Sequence, residues 1–122
     1  LWAPVQLKSF AAFSASIFVS KREGVPFVWE LSGQSQFKLK DLSRVDCLTE
    51  THAFEVDWAD GMKVYEAIGQ ALYYASQTDK KPGILLLTRK DNSDKHIRKI
   101  KEVIRYFDLD IELIIKDVRS DN

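Results

Sequence analysis

The sequence predicts an α/β fold in one domain, with a mixed central sheet flanked by helices. Three patterns carry that prediction. Short segments between Gln36 and Trp58 alternate polar and apolar residues, as half-buried strands do. Two stretches, Met62–Gln77 and Ser93–Phe107, repeat their apolar residues at helical spacing. Between them Ile84–Thr88 is continuously apolar, the pattern of a strand covered on both faces. With 122 residues, 45% hydrophobic and 30% charged, the chain suits one compact domain spanning 1–122 rather than a disordered chain.

The elements follow in order. Residues 1–20 admit either a helix or a strand with a loop. Pro26 breaks any long helix through this region, but Val25-Pro26-Phe27 can open a short one ending near Gly33. Gln36–Leu39 reads as a strand and Lys40-Asp41 as a turn. Ser43–Leu48 and Ala53–Trp58 form the next two strands, with Phe54, Val56 and Trp58 on one face and Glu55 and Asp57 on the other. Asp60-Gly61 stops that strand. The helix Met62–Gln77 carries an apolar stripe of Val64, Tyr65, Ile68, Ala71, Leu72 and Ala75. Lys80-Lys81-Pro82-Gly83 reads as a loop. The second helix turns Ile97, Ile100, Val103, Ile104 and Phe107 inward, and Ile111–Ile115 is the last strand. A strand–helix–strand–helix–strand succession places the later strands in parallel.

Charge is balanced at 18 basic and 18 acidic residues, so any nucleic-acid surface must be local. The single cysteine, Cys47, excludes an internal disulfide and reads as a small buried hydrophobe. No apolar run is long enough to span a bilayer, and no membrane partner is expected. The start at Leu1 rather than Met fits an excised domain or a processed chain. The cytoplasm is slightly favoured, with an exported mature chain as the alternative.

Chemistry concentrates between Arg44 and Tyr74. A hairpin loop of Thr49-Glu50-Thr51-His52 sets Leu48 against Ala53 and Asp46 against Glu55. Opposed side chains have Cβ atoms about 5 Å apart. Two carboxylates that close repel unless a cation lies between them, and Mg²⁺ or Mn²⁺ suits all-oxygen ligands. Lys63 and Gln70, seven residues apart, share one helix face, and Tyr74 continues it. The alternative is that these acids are solvated positions on a half-exposed sheet. His52, in the predicted turn, reads as structural or exposed. No CxxC, paired histidines, glycine-rich phosphate loop or G-x-S-x-G elbow is present, so zinc, nucleoside-triphosphate and serine-hydrolase chemistry have no support.

The runs RVDCLTETHAFEVD at 44–57 and KVYEAIGQALYY at 63–74, followed by KKPGILLL at 80–87, resemble the PD-(D/E)XK nuclease superfamily. More narrowly, they are similar to a group of small bacterial and phage-type proteins within it. The resemblance covers roughly Gly33 to Leu87. It implies a restriction-endonuclease-like αβββαβ core, here with a further helix and strand, and metal-dependent cleavage of nucleic acid, DNA favoured over RNA. Asp46 and Glu55 match the metal-binding acids. Asp57 stands where the superfamily lysine would be, and Lys63 matches a lysine migrated to the next helix. Gln70 matches the polar helix residue of other branches. Glu23 and Glu30 are the candidates for an added N-terminal glutamate. Gln36 stands where the narrow group often has glutamate, and Asp60-Gly61-Met62 lengthens the loop before Lys63. The superfamily also contains members that lost catalysis and kept binding. At 14.0 kDa, selectivity is expected from a homodimer mate or a fused domain.

Overall fold

A computed structural model describes residues 15–19, 27–31, 33–88 and 93–117. Two antiparallel strands come first, β1 (Ala15–Val19) and β2 (Phe27–Leu31). The helix expected from Val25-Pro26-Phe27 to Gly33 is therefore corrected to a strand. The run Phe27-Val28-Trp29 is aromatic and β-branched, which favours extended backbone. Pro26 also biases the residue before it away from the helical region.

A five-stranded mixed sheet forms the body of the molecule, in the order β3 (Gly33–Lys38), β4 (Arg44–Thr49), β5 (His52–Trp58), β6 (Lys81–Thr88) and β7 (Glu112–Asp117). The pairs β3–β4 and β4–β5 are antiparallel, whereas β5–β6 and β6–β7 are parallel. Helix α1 (Lys63–Thr78) connects β5 to β6, and α2 (Ser93–Tyr106) connects β6 to β7. The expected α/β class and parallel later strands are both present. Lys81, Pro82 and Gly83, expected in a loop, instead open β6. The β5 ladder recruits them from His52↔Lys81 onward, and the Lys81 N–H donates to Thr51 O at 3.0 Å. A proline this close to the strand start interrupts little of the ladder.

Both helices pack on one face of the sheet. Val64, Ala67 and Ala71 of α1 share a buried cluster with Ile84 and Leu86 of β6 and Ile100 of α2. Cys47, Phe54, Val56, Trp58, Leu85 and Leu87 form a second buried cluster on the other face. The strand period acts here on an all-apolar run: Ile84 and Leu86 go to one cluster, Leu85 and Leu87 to the other. Cys47 is fully buried, and burial pushes its thiol up to about 11, so it remains an unreactive hydrophobe.

Three predicted core residues are exposed. Tyr65 and Leu72 lie on the outer side of α1, where Ala67 and Tyr74 take the inward positions instead. Phe107 lies just beyond α2 and is 65% exposed. There the chain leaves the helix through Asp108 at φ 52°, so the periodicity that would have turned Phe107 inward ends one residue too soon.

Gly83 is required by packing. A Cβ there would lie 2.5 Å from the Phe54 ring. On the same side of the sheet His52 bridges from β5 to β7: its Nε2 is 3.0 Å from Glu112 Oε1, and its Nδ1 is 2.7 Å from Thr51 Oγ1. The imidazole stacks on Phe54 at 5.4 Å. His52 thus opens β5 as a structural tie between strands.

Candidate acidic site on the central hairpin

The turn Thr49–His52 closes as its residues dictate. Thr49 Oγ1 accepts the His52 N–H at 2.8 Å and the Thr51 N–H at 3.2 Å, the local side-chain bonding that favours threonine in turns. The register that follows is Leu48↔Ala53 and Cys47↔Phe54. The regular pairing of β4 with β5 ends there, one residue short of Asp46 and Glu55. At this point a side chain enters the ladder: the Val56 N–H donates to Asp46 Oδ2 at 2.8 Å.

The neighbouring strand is distorted at the same level. Gln36 has φ 53°, in the left-handed region that a non-glycine residue rarely occupies. Its Nε2 donates to Asp46 Oδ1 at 3.3 Å. Val45 and Cys47, two residues apart, would share a face on a regular strand. Instead Val45 packs with Leu48, Ala53 and Tyr74, while Cys47 packs with Phe54 and Leu85. The strand rolls over at Asp46, and Gln36 and Val56 hold the carboxylate from either side.

Glu55 and Asp57 are 4% and 6% exposed, so they are not solvated positions on a half-exposed sheet. Burying carboxylates is costly, which makes Glu55 and Asp57 candidates for a functional site. Asp57 Oδ1 accepts the Trp58 N–H at 2.8 Å, at the end of β5. Tyr74 of α1 lies over the hairpin, buried with Leu48 and Ala53. Its hydroxyl pKa is pushed up to about 12 by burial first, then by the negative charges of Glu55 and Asp46, with smaller effects of Asp41 and Tyr73. Glu55 and Asp46 thus both bear electrostatically on the Tyr74 hydroxyl, after burial.

The remaining predicted residues lie along that helix. Lys63 begins α1, and its ammonium is 3.4 Å from Glu66 Oε1 on the next turn. The loop ahead of it is held by the Lys63 N–H, which donates to Asp60 O at 3.0 Å, and turns through Gly61 at φ 45°. Gln70 is exposed two turns on. Glu30 lies in β2, paired with Ser16, rather than on a helix, and Glu23 lies outside the described residues.

Two contributors carry no role that the sequence alone assigns. Gln36 stands out there only as a departure from a family pattern, and no local signal announces its positive φ. Tyr74 falls on the Lys63–Gln70 face by spacing, but its burial over two acids depends on the helix docking.

Asp46 and Glu55 offer only oxygen donors, the ligand type that a hard divalent cation takes. Among the described residues no three His, Cys, Asp or Glu side chains gather as a metal site. Mg²⁺ commonly takes one or two carboxylates and completes its shell with water and substrate phosphate. Comparison with protein-family models, curated proteins and solved structures returns no match.

Proposed function

We propose that this chain is a metal-dependent phosphodiester hydrolase acting on nucleic acid, built on a restriction-endonuclease-like core. The observation that carries this reading is the burial of Glu55 and Asp57 beside Asp46, at the level where a carboxylate enters the ladder between β4 and β5. The succession β3–β4–β5–α1–β6 supports the βββαβ portion of such a core, with α2 and β7 as the further helix and strand.

Asp46 and Glu55 would hold Mg²⁺ or Mn²⁺, which supplies polarisation of a phosphoryl oxygen and acidification of a bound water. Gln36 and the Val56 N–H orient Asp46. Tyr74, protonated throughout the physiological range, offers a hydrogen-bond donor rather than another negative charge. Asp57 would act beside Glu55, as a supporting acid or a ligand for a second metal. Lys63 would turn from Glu66 to the developing negative charge. An exposed pair at this spacing contributes roughly 0.2–0.5 kcal/mol, so recruitment costs little. Gln70 would steady Lys63 or the phosphate.

The alternative is a nuclease-fold module that has lost catalysis and retained binding. It is favoured by the Lys63–Glu66 pair and by Asp57 standing in place of a lysine. Labelled single- and double-stranded DNA and RNA, incubated with Mn²⁺ or with EDTA, test the two. Cleavage that needs Mn²⁺ and disappears in Glu55→Gln supports the hydrolase. Failure to cleave any substrate, together with failure to bind Mn²⁺ in calorimetry, overturns it in favour of the decayed module.

A further inference from the structure

The exposed side of α2 is unlike the rest of this charge-neutral chain. Between Ser93 and Tyr106 the sequence has five lysine and arginine residues against two acids. Ile100 is buried and Ile97 and Ile104 pack against the same core, which fixes the orientation of the helix. At 3.6 residues per turn Lys95, Arg98 and Lys99 then project away from the sheet, with Lys101 on the flank. All four are exposed. Among the described residues none of them is ion-paired, whereas Arg105 is held by Glu102 at 2.5 Å.

At its C-terminal end this basic face meets two aromatic rings in water. Tyr106 is 71% exposed and Phe107 65%, and they sit edge to face with centroids 5.0 Å apart. Neither belongs to any of the buried clusters. Lys95 and Tyr106 are eleven residues apart, about 16 Å along the helix axis.

We propose that α2 and the Tyr106–Phe107 pair form a binding track for single-stranded nucleic acid. The cations would follow the phosphate backbone, and an unstacked base would rest on an exposed ring. The two features are independent. Charge alone would suit any polyanion, and exposed rings alone any apolar partner. Together they match the combination that single-stranded binders use. A duplex keeps its bases stacked inward and would engage only the cations. The proposal rests on the reading that this chain acts on nucleic acid, and adds that the strand it holds is unpaired.

Binding is measured on the whole chain in EDTA, so that cleavage plays no part. Fluorescent oligo-dT and oligo-U, and a duplex of equal length, are titrated at several salt concentrations. The parent should prefer the single strands, with affinity falling steeply as salt rises. Removing one cation from the phosphate track should flatten the log–log salt slope by about 0.7. Lys95→Glu/Arg98→Glu/Lys99→Glu should therefore flatten it and weaken binding to both forms. Tyr106→Ala/Phe107→Ala should weaken single-strand binding on the order of tenfold or more, leaving the salt slope and duplex binding in place. These surface substitutions are checked for an unchanged melting temperature. Single-strand binding insensitive to the aromatic pair overturns the proposal, as does equal affinity for duplex. Glu55→Gln serves as the control: retained binding with abolished cleavage separates this track from the hydrolytic reading, and each can fail without the other.

Discussion

The two halves of the central sheet are built by different rules. From β5 to β7 the pairing is uninterrupted. His52 to Trp58 match Lys81 to Leu87 residue for residue, and Gly83 to Thr88 match Glu112 to Asp117. Ile84 through Leu87 are fully buried, and the strand is held by apolar contact on both faces. From β3 to β5 the ladder is broken instead. A side-chain carboxylate takes a backbone N–H, Gln36 adopts a positive φ, and β4 changes face at Asp46. Irregularity of this kind persists only where surrounding structure over-determines it, and it collects at functional sites. The regular half supplies the stability that lets the irregular half hold buried acids.

Substitutions in the two halves should therefore have opposite signatures, and the largest effect belongs to the regular one. Leu85→Ala should destabilise by about 2–5 kcal/mol in denaturant titration, as fully buried leucines do when a cavity replaces them. Activity per folded molecule should persist. Glu55→Gln should do the reverse, abolishing turnover with stability held or raised, because one buried charge is removed. A large stability loss in Glu55→Gln would make Glu55 a structural residue and dissolve the contrast. Next come the glycines. A Cβ on Gly33 would lie 2.5 Å from Leu48 O, which is backbone, and one on Gly83 would lie 2.5 Å from a Phe54 ring carbon. Overpacking costs about 1–3 kcal/mol. Gly33→Ala should cost more than Gly83→Ala, because a ring can shift where a ladder carbonyl cannot. The reverse order would mean that the β3–β4 pair is the softer of the two.

What is legible in the sequence divides along the same line. The regular half is readable, because an all-apolar run such as Ile84–Leu87 has few other places to go. The hairpin register is readable too. A four-residue turn with Thr49 fixes parity, and Leu48 does face Ala53. The roll at Asp46 is not, since it depends on Gln36 on another strand and on the Val56 N–H across the pair. Nor is the burial of Glu55 and Asp57, which depends on how α1 docks. The stripe on α1 misleads at Tyr65 and Leu72 because several registers of apolar residues are compatible with one helix. Alanine and tyrosine at 67 and 74 fill the narrow space over the sheet. The β2 strand is hidden because a proline that can open a helix can equally precede a strand.

Tyr74 offers a finer test of whether Asp46 and Glu55 converge. Its pKa is raised, so the folded state favours the protonated phenol. This contribution to stability is fully present below the ordinary tyrosine pKa near 10. It is lost as pH rises through about 12, where the folded protein gives up the proton. Tyr73 is raised as well, by its bond to Asp41, so the step to follow in alkaline absorbance titration is the one lost in Tyr74→Phe but kept in Tyr73→Phe. Glu55→Gln should bring that step down towards 10, though not all the way, because burial is the larger cause. A Tyr74 that titrates identically in the parent and in Glu55→Gln would place the carboxylate elsewhere.

The smallest effect lies at the outer edge of the irregular half, where the β3–β4 turn is tied to α1. Asp41 Oδ1 accepts the Ser43 hydroxyl at 2.6 Å and the Ser43 N–H at 2.9 Å, and Oδ2 accepts the Tyr73 hydroxyl. These bonds hold its carboxyl down at about 2, the Ser43 hydroxyl contributing most and Tyr73 next. A depressed carboxyl contributes stability that is present above its ordinary pKa near 3.8 and lost as pH falls through about 2. The group is exposed, so solvent screens the effect and the shift in acid stability should be slight. The carboxyl resonance of Asp41, followed by NMR, is the sharper measurement. Ser43→Ala should raise the midpoint more than Tyr73→Phe does, since it removes the larger cause. If Tyr73→Phe leaves the midpoint unchanged, the tie between the turn and α1 is absent in solution. The turn would then be held to α1 by the buried cluster that Tyr74 shares with Leu39, Val45, Leu48 and Ala53.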